Sequence, residues 1–184
     1  MLNKGMSKSE IERELAGKGD FVQIDYLNRF ISQKPPLHDK KFAFMKLISI
    51  YESKKMFSDV AKIYNSLALL ALSPQERIEC LVKETKAHIQ GGRFDEADAV
   101  MRRAMDEVTI VKKAEIYEDI KRFYKAQAEQ HEKENKRNHA IKFYEKLLSM
   151  KITENEKNEV KAKLLSLYEQ LGKFRESSAL DRRR

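Results

Sequence analysis

Apolar residues recur along this chain with a helical period. Phe44, Leu47, Ile48 and Tyr51 stand at i, i+3, i+4 and i+7, and Leu164, Leu165, Tyr168 and Leu171 gather near the other end. No stretch alternates polar and apolar residues for long enough to suggest a strand. Helix starts are marked by Ser7 with Glu10, by Ser73-Pro74 with Glu76, and by Thr153 with Glu156. In each, a hydroxyl can cap and a glutamate three residues on can close a capping box. Gly91-Gly92 and Gly172 follow apolar-periodic stretches and mark helix ends. Pro35-Pro36 separates an N-terminal piece from the rest. The pattern predicts an all-α chain of about ten helices, near 8–16, 20–33, 38–54, 57–72, 74–90, 94–109, 112–134, 136–149, 154–171 and 174–181.

Composition agrees with long solvated helix faces. Charged residues make up 36% of the 184, against roughly 25% in an average globular chain. The net charge of +8 is uneven: residues 1–110 hold 18 basic and 16 acidic side chains, residues 111–184 hold 19 and 13. The bias therefore sits in the second half, including the tail Arg182, Arg183 and Arg184. It suits an acidic partner or nucleic acid, and equally serves solubility. Cys80 is the only cysteine, so no disulfide closes within the chain. The first fifteen residues lack the apolar stretch of a signal peptide, and the longest apolar run, 67–72, is far short of the ~20 residues of a membrane span. A soluble cytoplasmic protein with no membrane contact is expected.

A phrase recurs at the turns. It runs from Tyr51 through Phe57 to Val60, from His88 through Phe94 to Ala97, from His131 through Arg137 to Ala140, and from Tyr168 through Phe174 to Ser177. A ring comes first, then a turn, then usually Phe, then a small or β-branched residue. Phe44, Leu47 and Tyr51, or Tyr124, Ala128 and His131, give bulk, small residue and ring in first helices. Ala97, Met101 and Ala104, or Ala140, Tyr144 and Leu147, serve in second helices. Small residues let two helices approach where they cross. The phrase resembles the tetratricopeptide repeat, a 34-residue helix–turn–helix unit. The resemblance covers roughly residues 38–181. Spacings of 37, 43 and 37 residues between Phe57, Phe94, Arg137 and Phe174 depart from a strict 34. The proline expected between units appears only as Pro74. Elongated hairpins similar to the soluble attachment proteins of membrane fusion, or to 14-3-3 proteins, are the alternative.

The resemblance implies a right-handed superhelix of antiparallel helix hairpins, a tetratricopeptide-like α-solenoid. Residues 37–181 form the repeat domain, with units near 38–72, 74–109, 112–149 and 154–181, and 182–184 form a basic tail. The piece 1–36 does not match. Its Phe21, Ile24, Leu27 and Ile31 line one face of a helix from Asp20, beyond a shorter helix with Ile11 and Leu15. A stack of repeats needs its end face covered, so this piece reads as a cap, or else as a docking segment for a partner helix.

No residue pattern points to catalysis, a cofactor or a metal. Glu84 and His88 share a helix face at i, i+4, but no third ligand is near in sequence, and with Lys83 and Lys86 alongside, Glu84 reads as solvated surface. His131 and His139 straddle a turn, and His131 falls at a ring position. Cys80 reads as a small buried hydrophobe. The carboxylates all have Lys or Arg at helical spacing and read as surface ion pairs.

In a solenoid of this family the first helix of each unit lines the concave side. Inward positions would be Met45 and Ser49, then Val82, Lys86 and Ile89, then Arg122, Lys125 and Glu129, then Ala162 and Ser166. The partner-binding candidates are Met45, Ser49, Lys86, Arg122 and Lys125. Some family members clamp a peptide's terminal carboxylates, but their Lys and Asn fall here at Met45 and Ser49, so chaperone-tail binding is not expected. The expectation is a non-enzymatic scaffold that binds a protein or peptide, an acidic one included, on this face or on the N-terminal helices. A nucleic-acid-associated protein using the basic half is the alternative; its binding would weaken steeply with salt.

Overall fold

The computed structural model describes residues 2–182, so Arg183 and Arg184 of the basic tail lie outside the described residues. Among those residues there are ten α-helices and no strand. The chain falls into two compact units, residues 1–107 and 108–184. The first holds α1 (Lys8–Leu15), α2 (Asp20–Ser32), α3 (Leu37–Ser53), α4 (Phe57–Leu69), α5 (Pro74–Gln90) and α6 (Phe94–Asp106). The second holds α7 (Ile110–Lys133), α8 (Arg137–Ser149), α9 (Glu154–Gln170) and α10 (Phe174–Asp181). Within each unit successive helices pack on one another, from α2 on α3 through α5 on α6, and from α7 on α8 through α9 on α10.

The caps follow the chemistry of the sequence, with one change. Ser7 and Thr153 form complete capping boxes with Glu10 and Glu156. Ser73 Oγ accepts from the Glu76 N–H, but the Glu76 carboxylate does not return to Ser73. It accepts from the Leu72 N–H at 2.8 Å and meets Lys41 of α3. α4 stops at Leu69 instead of running to 72, and the Leu70 N–H bonds the Leu67 carbonyl at 3.1 Å.

The recurrent phrase is one turn built four times. Tyr51, His88, His131 and Tyr168 each accept, through the main-chain carbonyl, from the N–H five residues on: Met56, Arg93, Lys136 and Lys173, at 2.8–2.9 Å. A second bond runs from Lys55, Gly92, Asn135 and Gly172 to the carbonyl three residues back. Those four residues all take positive φ, 57°, 69°, 57° and 66°. This is the Schellman termination, which satisfies the last carbonyls of one helix and re-aims the chain. The next residue, at φ −84° to −97° and ψ 57° to 74°, opens the following helix. The turn after α2 has Lys34 at positive φ but Pro35 in the donor position, so the five-residue bond cannot form.

Side-chain pairs 34 or 35 residues apart join alternate helices. Glu12 of α1 meets Lys46 of α3, and Lys41 of α3 meets Glu76 of α5. Lys121 and Lys125 of α7 meet Glu156 and Glu159 of α9. Ser58 of α4 accepts from Arg93 ahead of α6, and Asn138 of α8 from Lys173 ahead of α10.

The N-terminal helices share one core with the helices that follow them. Leu2, Ile11, Leu15, Leu27 and Phe30 belong to the same cluster as Ala43, Leu47, Val60 and Ala61. The face expected for α2 is shifted. Phe30 is fully buried, while Phe21 is 72% exposed. At 100° per residue Phe21 stands about 120° from the direction of Leu27. A second cluster joins Ala68, Leu81, Val100 and Ala104, and Cys80 packs against both clusters. In residues 108–184 the core comprises Ile120, Tyr124, Ala128, Ala140, Tyr144, Leu147, Leu164 and Tyr168 among others. The alanines at the predicted crossing positions, Ala97, Ala104, Ala128 and Ala140, are all buried.

Candidate functional site

The expected partner-binding residues are divided between the units. Met45, Ser49 and Lys86 belong to residues 1–107, Arg122 and Lys125 to residues 108–184. Met45 is 49% exposed and Ser49 is exposed, both on α3, and Lys86 of α5 is half-buried. Ile89, expected on the same face, is fully buried and belongs to the packing of α5.

In the second unit a small cleft of about 40 Å³ opens between α7 and α9. Lys121, Arg122 and Lys125 line one side and Glu156, Glu159 and Val160 the other. Such a space takes about one water. The charges are largely matched in pairs. Lys125 donates to Glu159 at 2.8 and 3.0 Å, and those bonds hold its pKa above the ordinary lysine range against the cost of burial. Lys121 is 8% exposed and bridges Glu118 and Glu156 at 2.8 Å each. Burial opposes its charge, but the two carboxylates outweigh that and raise its pKa. Glu156 is pulled down to about 2 by Lys121, then by the Thr153 N–H and hydroxyl. Arg122 is exposed, and no ion pair or hydrogen bond engages it among the described residues. The basic centre expected on this face is thus reduced to one uncompensated guanidinium. The role of Lys121 is invisible in the sequence, since only the packing of α7 on α9 creates it; its offset of 35 from Glu156 is the one signal available.

Glu84 is the main departure. It is 5% exposed, not solvated, and its Oε2 has no hydrogen-bond partner. His88, 9% exposed, sits one turn on, with Nε2 3.9 Å from Glu84 Oε1 and Nδ1 unpartnered. Burial raises the Glu84 pKa, with Arg103 of α6 acting the other way. Burial and Arg93 lower that of His88, against Glu96. At 3.9 Å the two are in electrostatic reach but not hydrogen-bonded. Lys83 and Lys86 flank Glu84 in sequence without settling which way it points. Cys80, four residues before Glu84, is half-buried, and burial followed by Glu76 raises its thiol pKa, which disfavours a thiolate.

His131 and His139 come together, with ring centroids 5.4 Å apart, and His131 also lies 5.1 Å from the Phe143 ring. His131 thus packs among rings at the place where Tyr51, His88 and Tyr168 stand in the other turns. No group of three or more His, Cys, Asp or Glu able to hold a metal occurs among the described residues. No helix among them is long and apolar enough to cross a membrane. No family model matches the chain, and no curated protein matches it in sequence.

Proposed function

We propose that this chain is a tetratricopeptide-like α-solenoid, a right-handed superhelix of antiparallel helix hairpins, acting as a non-enzymatic scaffold for a protein or peptide partner. The observation that carries the reading is the fourfold Schellman turn, with one ring position and one left-handed position in each copy. Pairs at offsets of 34 or 35 between alternate helices add to it, because they lie within three residues of the 37-residue spacing of the turns they accompany, and stacked units bring such positions side by side. Glu12–Lys46 extends the same offset into α1, which favours residues 1–36 as the covering element of the stack.

Each unit offers a partner surface of its own: the exposed face of α3 and α5 in the first, with Met45, Ser49 and Lys86, and that of α7 and α9 in the second, with Arg122. Lys125 contributes as the paired wall of the α7–α9 cleft. Lys121, Lys125, Lys136, Lys157 and Lys163 are each engaged in ion pairs, while the excess of 19 basic over 13 acidic side chains in the second unit remains, so nucleic acid stays the alternative that the salt dependence of binding decides.

The test is capture of partners from native lysate with the full chain, compared with Met45→Asp and Arg122→Glu. Both positions are exposed, so the fold should tolerate the changes. Loss of a partner in either variant supports the proposal. An unchanged partner set in both removes this face from consideration. Nuclease-sensitive recovery that disappears at high salt would favour the nucleic-acid alternative.

A further inference from the structure

The pair Glu84 and His88 departs from the pattern of α3 and α9, and differs from the polar pair Gln127 and His131 of α7 in carrying a carboxyl group. Four residues before the ring that precedes each turn stand Leu47 in α3, Glu84 in α5, Gln127 in α7 and Leu164 in α9. Leu47 and Leu164 are core residues. α5 places a carboxyl group at that buried position, and an imidazole where α3 and α9 carry Tyr51 and Tyr168. A buried polar atom without a partner is costly and calls for a reason. Positions where a chain departs from its own local rule are where function concentrates.

We propose that Glu84 and His88 form a one-proton device, in which the folded first unit keeps a single proton on the pair, and losing it or gaining a second loosens the packing of α5. With one proton the pair is net neutral, whichever of the two side chains carries it. Removing it leaves a buried carboxylate against a neutral ring, offset only by Arg103 of α6. Adding a second leaves a buried imidazolium beside an uncharged acid, with Arg103 and Arg93 both near. Glu96 of α6 is the acidic group on the His88 side. α4 supplies Asn65, which accepts from Arg103 at 3.5 Å, while its Tyr64 faces Glu52 and Cys80.

The linkage signs follow from burial. Glu84 holds its proton to higher pH in the fold than in the unfolded chain, so stability falls as pH rises above the ordinary carboxylate range. His88 stays neutral to lower pH in the fold, so stability falls as pH drops below about 6.5. Between those values folding moves the proton from imidazole to carboxyl and the two slopes oppose. The device is independent of whether the exposed faces bind a partner.

The experiment is thermal unfolding of the full chain from pH 4 to 9 for wild type, Glu84→Leu, Glu84→Gln and His88→Tyr, with NMR titration of the His88 ring. Glu84→Leu should raise Tm by about 5 °C or more at pH 8, and by less at pH 5. Glu84→Gln keeps the side-chain shape, carries the same test should the leucine variant fail to fold, and should remove the fall of stability with rising pH that Glu84 contributes above the ordinary carboxylate range. His88→Tyr, the residue of two sibling turns, should remove the His88 slope below about 6.5 and leave the fall of stability with rising pH from Glu84 unopposed in that window. The wild-type ring should titrate below the ordinary histidine range. Profiles of both Glu84→Gln and His88→Tyr that run parallel to wild type throughout, or a His88 ring that titrates near 6.5, would overturn the proposal.

Discussion

Lys55 and Asn135 occupy the left-handed position that Gly92 and Gly172 hold in the sibling turns. A β-carbon at that φ costs roughly 1 kcal/mol, and asparagine tolerates it better than lysine. Lys55→Gly is therefore expected to stabilise the chain by about 1 kcal/mol, read as a higher urea midpoint with unchanged slope. Gly92→Ala is expected to lower it by a similar amount. An added Cβ there meets nothing within 4 Å, so the loss is conformational and not steric. Equal midpoints for wild type and Gly92→Ala would show that this turn does not depend on the left-handed residue. In the sequence, two of these four positions were legible because they are glycine. Lys55 was not, since lysine carries no mark of the conformation it adopts.

At the level of a single element, the start of α9 gathers a capping box and an interhelical ion pair on one carboxylate. Thr153 and Glu156 cap it, and Glu156 also receives Lys121 across from α7. Because the folded pKa of Glu156 is depressed to about 2, its contribution is fully present above pH 4.5 and is lost as pH falls toward 2. Glu156→Gln should flatten the acid limb of the stability profile between those values; an unchanged limb would mean that the Lys121 contact contributes nothing in solution. Thr153→Ala should cost about 1 kcal/mol at neutral pH, measured by denaturant titration. The capping boxes at Ser7 and Thr153 were legible because they are local. The third one changed because Lys41, 35 residues away, meets the Glu76 carboxylate, a partner that no local reading supplies.

Across the whole molecule, the charge imbalance follows the division into units: residues 1–107 carry 18 basic and 16 acidic side chains, and residues 108–184 carry 19 and 13. The helices and their order were readable from periodicity. Which residues meet across the packed helices was less so. Lys121, Ile89 and Glu84 each sat in a sequence context that did not reveal their burial, because a helical face more than 100° wide leaves its edge positions undetermined. Leu164, fully buried in the second unit, tests the core assignment there: Leu164→Ala should cost about 3 kcal/mol, and hydrogen exchange should quicken in α9. Retained stability would mean that this position is not packed as described.

The central proposal is that the first helix of each hairpin presents the binding surface. Hydrogen–deuterium exchange of the full chain, free and bound to the partner it captures from lysate, tests it most directly. Slowed exchange is expected in the first helices of the unit that binds, α3 and α5 around Met45, Ser49 and Lys86 or α7 and α9 around Arg122, with α4, α6, α8 and α10 little changed. Protection confined to the second helices, or no partner recovered at all, would contradict it.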